Sequence, residues 1–163
     1  RGYFGYHVRD NTGLEYGAYD HYLKKVWDGE DVLFLHDDMT IMPIIKNYEA
    51  LGPDVLFKTI SEFEQDLVYI FQNEADRRFC KDVHGRAMFA SGEFLQSLKD
   101  MNGGFPYDEK NTGHTSGPTP EGMKHYNWAV EELRSFWEVR QIGGCKVESV
   151  IIPAIKYHIR GRE

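Results

Sequence analysis

The sequence predicts an α/β fold in which a mostly parallel, mixed sheet is flanked by helices. Apolar runs of strand length lie at residues 32–35, 67–71 and 147–152, and segments with helical periodicity separate them. Strands that alternate with helices in this way are typical of α/β domains. A length of 163 residues suits one domain with a sizeable core, so we expect a single domain over residues 1–163.

Composition narrows the possible classes of function. The formal net charge is −7 and no run is rich in Lys or Arg, which argues against nucleic-acid binding. No stretch approaches the roughly 18 to 20 apolar residues that span a bilayer, so we expect no transmembrane segment. Cys80 and Cys145 lie far apart and lack the spacing of a metal site, which favours a reduced, cytoplasmic protein.

Four elements are predicted in the first part of the chain. Residues 1–9 alternate weakly and predict a short strand, and residues 10–13 have the composition of a turn. Residues 14–27 carry apolar side chains at helical spacing. The four apolar residues at 32–35 then predict a strand buried on both faces. This order is typical of a right-handed parallel crossover.

The middle of the chain is less regular. Residues 42–51 predict a short helix, and Ser61 with Glu64 three positions later matches a capping box that would open another helix. Residues 67–71 are β-branched and aromatic and predict a strand. Residues 73–84 are polar and predict a surface loop or a frayed helix.

After residue 86 the pattern is clearer. It predicts a strand (87–90), a helix (92–101), a turn (102–104), a long loop (105–120), a helix (120–142) and a last strand (147–152). Ser91 is suited to cap the first of these helices, and Gly103-Gly104 to end it. A loop as long as 105–120 inside a compact domain is typically functional or mobile.

The strand at 32–35 ends in an acidic group that is a candidate ligand site. His36, Asp37 and Asp38 follow it directly. In open α/β sheets, ligands bind at the carboxyl ends of the strands. Adjacent carboxylates repel each other unless a cation bridges them. The residues alone therefore leave two interpretations open, a metal or phosphate site and a solvated acidic turn.

Four ordered segments carry a resemblance that covers nearly the whole chain. They are Arg9-Asp10-Asn11-Thr12-Gly13 with its helix and Leu33-Phe34-Leu35-His36-Asp37-Asp38; Ala87-Met88-Phe89-Ala90-Ser91 with its helix and Gly103-Gly104-Phe105; Glu131-Glu132-Leu133 up to Gly143; and Val150-Ile151-Ile152-Pro153-Ala154 with His158. Their order and spacing resemble the inverting glycosyltransferases of the GT-A fold, closest to family 2. The resemblance implies a GT-A, Rossmann-like fold of the nucleotide-diphospho-sugar transferase type.

The chain departs from that family in two places. The family's first βαβ unit, which cradles the nucleotide base, precedes the turn at residues 10–13, so the resemblance implies an N-terminally incomplete domain, either a fragment or a shortened member. In the acidic motif, His36 occupies the place of the first aspartate of the usual Asp-x-Asp, Asp37 the middle place and Asp38 that of the second aspartate.

The resemblance implies a metal-assisted transfer of a sugar from a nucleotide-diphosphate donor to a hydroxyl acceptor, with inversion. The acceptor would be a glycan, a lipid-linked molecule or another hydroxyl compound. A hard divalent cation neutralises a leaving diphosphate as a Lewis acid, and Asp37, Asp38 and His158 are its predicted ligands. This mixed oxygen and imidazole set favours Mn²⁺ over Mg²⁺. Alternatively, His158 is a solvated histidine near Arg160 and Arg162, which themselves suit phosphate oxygens.

Inversion needs a base that removes the proton of the acceptor hydroxyl. Spacing back from Gly143 selects Glu131 and Glu132, whereas a helix start near residue 120 makes Glu121 the rival. The ordinary alternative is that all three are solvated helix glutamates.

The donor-binding candidates are Asp10, Asn11 and Arg86. The first two would contact the nucleotide, and Arg86 the donor sugar or a phosphate; the alternatives are an ordinary turn and a surface loop. Tyr107, in the long loop, is suited to stack on a sugar ring.

Two further expectations follow. Sheet edges left by a missing unit favour pairing with another chain, hence a homo-oligomer. The rival function is a non-catalytic carbohydrate-binding or interaction module derived from the same fold.

Overall fold

The computed structural model of the chain describes residues 5, 7–10, 14–35, 39–41, 44–46, 49–51, 53–79, 87–107, 138, 139, 141, 145–152 and 155–157. The described helices are α1 (Leu14–Lys25), α2 (Pro53–Ser61), α3 (Glu74–Phe79) and α4 (Gly92–Asn102). The described strands are β1 (Val32–Phe34), β2 (Met39–Ile41), β3 (Ile44–Lys46), β4 (Glu49–Leu51), β5 (Leu67–Phe71), β6 (Ala87–Ala90), β7 (Val147–Ile151) and β8 (Ile155–Tyr157).

Four of these strands form one mixed sheet in the order β1-β6-β5-β7. Strand β6 is antiparallel to both β1 and β5, and β7 is parallel to β5. Strands β1, β5 and β7 therefore run in one direction. Of the three strand pairs described in this sheet, β5–β7 is parallel and the other two are antiparallel. The predicted α/β class and mixed sheet are confirmed, but the prediction that the sheet is mostly parallel is wrong for the described pairs, because β6 runs antiparallel to both of its neighbours. Two small antiparallel sheets, β2–β8 and β3–β4, accompany the main one.

The two faces of the main sheet are buried by different elements. On one face, rings and aliphatic side chains of α1 and α4 cover alternate strand residues, among them Phe34, Tyr69 and Met88. On the other face, Ile60 of α2 packs over the intervening residues, such as Phe89. This alternation is the period of two that a strand imposes on its side chains. We call them the α1/α4 face and the α2 face.

Helix α4 forms where the sequence predicted it. The side-chain oxygen of Ser91 accepts a hydrogen bond from the Phe94 N–H (3.1 Å), which satisfies one of the free amides of the first turn. At the other end, Gly103 adopts a left-handed conformation (φ 75°) and its N–H donates to the Lys99 carbonyl. The strands at 67–71, 87–90 and 147–151 are also confirmed, as is the helix from Leu14, which ends at Lys25.

Strand β1 differs from its prediction. Phe34 is buried, but Val32 and Leu33 are half-buried, and Leu35 lies beyond the strand with 40% of its surface exposed. The reason is position, because β1 ends the described sheet order with β6 as its described neighbour. A run of four apolar residues does not encode whether its strand is central or at an edge.

Two predictions in the middle of the chain are wrong. The described part of 42–51 is strand, since β3 and β4 pair with Ile45 opposite Ala50. Ser61 does not open a helix but ends α2, where its hydroxyl donates to the Lys58 carbonyl (2.7 Å). The chain then turns through Glu64, which has a φ of 52°. In the first case, strand pairing outweighs the local helix propensity. In the second, the spacing of Ser61 and Glu64 does not by itself determine whether the serine begins or ends a helix.

The remaining predictions are tested in part. Of residues 1–9, those that the structure describes (5 and 7–9) are not in a strand. The described part of 73–84 includes the short helix α3. Residues 138, 139 and 141 are helical, as the predicted helix over 120–142 requires, while 11–13 and 108–137 lie outside the described residues.

Candidate functional site

The carboxyl ends of β1, β5 and β7 lie at one end of the main sheet, where β6 begins. Phe34 pairs with Met88, so the chain leaves β1 at Leu35 and enters β6 at Ala87 at this same end. Asp37 and Asp38 follow Leu35 closely in the sequence, and Arg86 directly precedes Ala87. These predicted site residues themselves lie outside the described residues.

A second strand pair involves the neighbours of two predicted metal ligands. Strands β2 and β8 are antiparallel, with Met39 directly opposite Tyr157. Asp38 precedes Met39 in the sequence and His158 follows Tyr157, and both lie outside the described residues. The described pairing thus joins two chain points that are more than a hundred residues apart, each one peptide bond from a predicted ligand.

The other predicted site residues fall mostly outside the described part of the chain. This holds for the candidate bases Glu121, Glu131 and Glu132 and for the donor-binding candidate Asn11. Their roles stay predictions. Asp10 is described, and it is exposed.

Asp10 lines a polar cleft of about 360 Å³ beside α1. The helix contributes residues at helical spacing, Gly17, Asp20, His21, Lys24 and Lys25. Arg9 and Asp10 from the preceding segment and Tyr107 from the segment after α4 complete the described lining. We call this the α1 cleft. It brings together Asp10 and Tyr107, which the sequence singled out separately.

The floor of the α1 cleft is held by a buried carboxylate. Asp20 is 2% exposed, and its Oδ1 accepts a hydrogen bond from the Phe105 N–H (2.9 Å) while its Oδ2 pairs with the Lys24 ammonium (2.7 Å). Gly104 has a φ of 140°, and a Cβ there would collide with the Asp20 side chain. The Gly-Gly-Phe sequence after α4 is therefore explained by this contact, since glycine alone combines the backbone angle with the space.

Carboxylates at the opposite end of the sheet have a structural role. Asp31 Oδ1 accepts from the Gly92 N–H (2.8 Å), and Asp66 Oδ2 accepts from the Lys146 N–H (2.7 Å). Both residues line a cavity of about 230 Å³. Because their oxygens satisfy backbone amides that would otherwise lack a partner, these acids are explained without a ligand.

A hydrogen-bonded cluster closes the turn between α1 and β1. Tyr22 donates to Glu30 Oε1 (2.5 Å), and the Trp27 indole N–H donates to the Glu30 carbonyl (2.7 Å). Burial and the adjacent Glu30 carboxylate raise the pKa of Tyr22 to about 12. Burial raises the pKa of Glu30, but hydrogen bonds from Tyr22 and from backbone amides outweigh it, so this pKa lies below its usual value. The cluster fixes how α1 leads into β1.

Metal-binding groups and membrane-spanning helices were both sought among the described residues. Within the described ranges, no group of three or more His, Cys, Asp or Glu side chains is arranged to hold a metal ion. Among the helices that the structure describes, none has the length and apolar character that a membrane crossing requires.

Comparisons with known proteins returned no match. This holds for models of protein families, for curated proteins and for solved structures. Function is therefore inferred from the residues and from their geometry.

Sequence reasoning missed the α1 cleft as a unit. Residues 17, 20, 21, 24 and 25 recur at helical spacing, a pattern that ordinarily marks a solvated helix face. The informative signal is Asp20, which lies on this face yet is buried. Its partner Phe105 is 85 positions away, so its burial was not visible in local sequence.

Proposed function

We propose that this protein transfers a sugar from a nucleotide-diphosphate donor to a hydroxyl acceptor with inversion, on a GT-A-like α/β fold. The single observation that carries the proposal is the pairing of Met39 with Tyr157. It places the strand that follows the acidic motif beside the strand that precedes His158, and the resemblance implies that both segments contribute to one site.

Each member of this pair is the sequence neighbour of a predicted ligand. Asp38 precedes Met39, and His158 follows Tyr157. Directly paired Cα atoms on antiparallel strands lie about 4.5–5.5 Å apart, so two distant points of the chain meet here. This meeting supports the proposal that both predicted ligands belong to one site.

The described segment after β5 supports the same proposal. The resemblance implies a strand, a helix and a Gly-Gly-Phe turn over residues 87–105, and β6, α4 and the glycine turn occur in that order. The mixed sheet agrees with the coarse α/β class. Its end at Leu35 and Ala87 lies next to the sequence positions of Asp37, Asp38 and Arg86.

The proposed donor site uses oxygen and imidazole groups. Asp37 and Asp38 provide carboxylate oxygens and His158 a ring nitrogen, a set that fits Mn²⁺ and, less well, Mg²⁺. When bound, such a cation neutralises the charge of the leaving nucleotide diphosphate. Arg86 is proposed to donate hydrogen bonds to the donor phosphates or sugar.

The proposed acceptor chemistry is proton removal by a carboxylate. Glu131 or Glu132, with Glu121 as the rival, would accept the proton of the attacking hydroxyl while the sugar carbon inverts. Asp10 and Asn11 are proposed to contact the nucleotide.

Calorimetric titration tests the proposal directly. The chain, with any natural upstream sequence included, is titrated with UDP and with GDP in the presence and absence of Mn²⁺. We expect binding of one nucleotide that depends on Mn²⁺ and is lost in Asp38→Ala. The matched control is Asp100→Ala, an exposed acid on α4 that accepts a hydrogen bond from Gln96 and lies outside the proposed site.

Two outcomes would contradict the transferase. The first is absence of metal-dependent binding for both nucleotides. The second is equal Mn²⁺ dependence in the Asp38→Ala and wild-type proteins. Binding of a glycan without any nucleotide or metal dependence would instead favour the rival, a non-catalytic carbohydrate-binding module.

A further inference from the structure

The α1 cleft carries a local charge opposite to that of the whole protein. Its described lining includes the cations Arg9, Lys24 and Lys25 against the carboxylates Asp10 and Asp20, so it is positive even with His21 neutral. The chain as a whole has a formal net charge of −7. A positive concave surface on an acidic protein attracts anions more than the rest of its surface does.

One cation of the cleft and the helix that carries it are held in place. Lys24 and Lys25 lie in the last turn of α1, and Lys24 is fixed by its ion pair with the buried Asp20. Asp20 is itself anchored to the Phe105 backbone on the neighbouring segment. The helix that presents Lys25 is therefore already in place before a ligand binds, which reduces the entropy cost of binding.

Tyr107 gives the cleft an aromatic side. It packs partly against the core of the α1/α4 face and also lines the cleft. A tyrosine that is anchored in this way offers a ring face and a hydroxyl, the combination that suits sugar rings. The volume of about 360 Å³ lies at the small end of the range for ligand pockets, so it suits a compact ligand.

From this geometry we propose that the α1 cleft binds a hexose-sized ligand that carries a carboxylate or a phosphate. The anionic group would meet Lys25 and Arg9, and the ring would lie against Tyr107. Both sources of negative charge share this recognition chemistry, and the experiment below separates them.

The inference rests on Arg9, Lys25 and Tyr107, none of which is a proposed metal ligand. Asp10 also lines the cleft and is a proposed contact of the nucleotide, but it has no role in binding the anionic ligand. The inference therefore does not depend on the proposed transferase activity. It is tested without nucleotide and without metal, so failure of one proposal is distinguishable from failure of the other.

The experiment is an NMR titration of the full chain at neutral pH and low salt. The probes are glucuronate, glucose 6-phosphate, inorganic phosphate and neutral glucose. Lys25→Gln is compared with Lys58→Gln, because each lysine is exposed and lies in the last turn of a helix, but Lys58 is on α2. The spectra themselves report whether each variant is folded.

We expect glucuronate or glucose 6-phosphate to bind and to shift amide signals of α1 and of the segment at Tyr107. Lys25→Gln should weaken this binding about tenfold, the order of effect that follows loss of a charge-assisted contact, while Lys58→Gln leaves it unchanged. The stronger of the two sugars identifies the source of the charge. Added salt should weaken binding of either one.

Three results would overturn the inference. Neutral glucose that binds as tightly as the charged sugars would remove the role of the cations. Inorganic phosphate that binds as tightly as glucose 6-phosphate would remove the role of Tyr107. Equal losses in Lys25→Gln and Lys58→Gln, or no binding of either charged sugar, would show that the cleft is not a site.

Discussion

The two faces of the main sheet are packed by different means. On the α1/α4 face, aromatic rings meet at defined angles: the Tyr19 and Phe34 centroids are 4.3 Å apart, and the Phe34 and Phe105 rings meet edge-on at 5.7 Å. On the α2 face, one described ring pair, Phe57 with Phe89, lies among aliphatic side chains.

Hydrogen bonds also tie α1 to its neighbours. On the α1/α4 face, Asp20 joins α1 to the Phe105 backbone, and Tyr22 joins α1 to Glu30 before β1. Ring geometry and hydrogen bonds are directional, whereas aliphatic packing is not. The described contacts of α1 are therefore directional to a greater degree than those of α2.

The largest expected change in stability comes from removing one aromatic ring from each face of the sheet. Phe34→Ala should lower the free energy of unfolding by about 3–5 kcal/mol, because it leaves a cavity among several rings. Phe57→Ala, which removes a half-buried ring from the α2 face, should cost about 1–2 kcal/mol. Urea unfolding of both variants measures these values. Equal losses would remove the distinction between the faces.

The next test concerns the glycine turn beneath α1. Gly104→Ala should destabilise by about 1–3 kcal/mol through its left-handed backbone, with a further loss from the contact with Asp20. Gly29→Ala is the matched control, since Gly29 has a φ of 98° but open space where a Cβ would lie. The difference between their unfolding free energies isolates the Asp20 contact. A difference of zero would mean that this contact does not position α1.

A smaller change in stability is expected from removing the serine hydroxyl at one end of α4 or of α2. Ser91→Ala should cost about 1 kcal/mol, because it removes the N-cap of α4 on the α1/α4 face. Ser61→Ala, at the end of α2, removes a hydroxyl that donates to a carbonyl near solvent and should cost below about 0.5 kcal/mol. Thermal unfolding ranks the two variants. The reverse order would assign the helix-capping role to Ser61.

The smallest effect is a pH dependence at the turn after α1. The pKa of Tyr22 is about 12 in the folded protein, above its ordinary value of 10.0. The associated stability is therefore fully present below about pH 10 and is lost as the pH rises towards 12. Tyr22→Phe should lack this part of the alkaline loss. Urea unfolding at pH 9 to 11.5 compares the two proteins, and parallel curves would contradict the assignment.

Local signals predicted the fold where they agree with tertiary structure. Ser91, the apolar spacing of α4 and Gly103 each specify part of one helix, and all three act within a few residues. The run at 67–71 is long and fully buried, so a central strand follows from composition. Strand direction was not predictable in the same way, because periodicity carries no information on whether β6 runs parallel or antiparallel to its neighbours.

Short elements were the least predictable part. Residues Ile44–Lys46 and Glu49–Leu51 become strands through their pairing with each other, although the segment also has helix-like spacing. Met39–Ile41 gains its partner at Ile155–Tyr157, far along the chain. Three-residue strands gain their stability from such partners, which a local window does not contain.

The two candidate sites also differ in how far local sequence could predict them. The acidic motif at Asp37 and Asp38 was visible because it directly follows an apolar run. The α1 cleft was not visible, since Arg9, Lys25 and Tyr107 come from three segments and each alone resembles an ordinary surface residue. A charged cleft formed by distant segments depends on the fold and cannot be predicted from a short stretch of sequence.

The pairing of Met39 with Tyr157 also sets the order of events during synthesis. A ribosome delivers Met39 early, but its partner strand follows only after β5, β6, α4 and β7 have been made. Closing so long a loop costs chain entropy that local contacts cannot offset in advance. Assembly of the proposed metal site is thus coupled to translation through residue 158, because a nascent chain released before that point lacks His158.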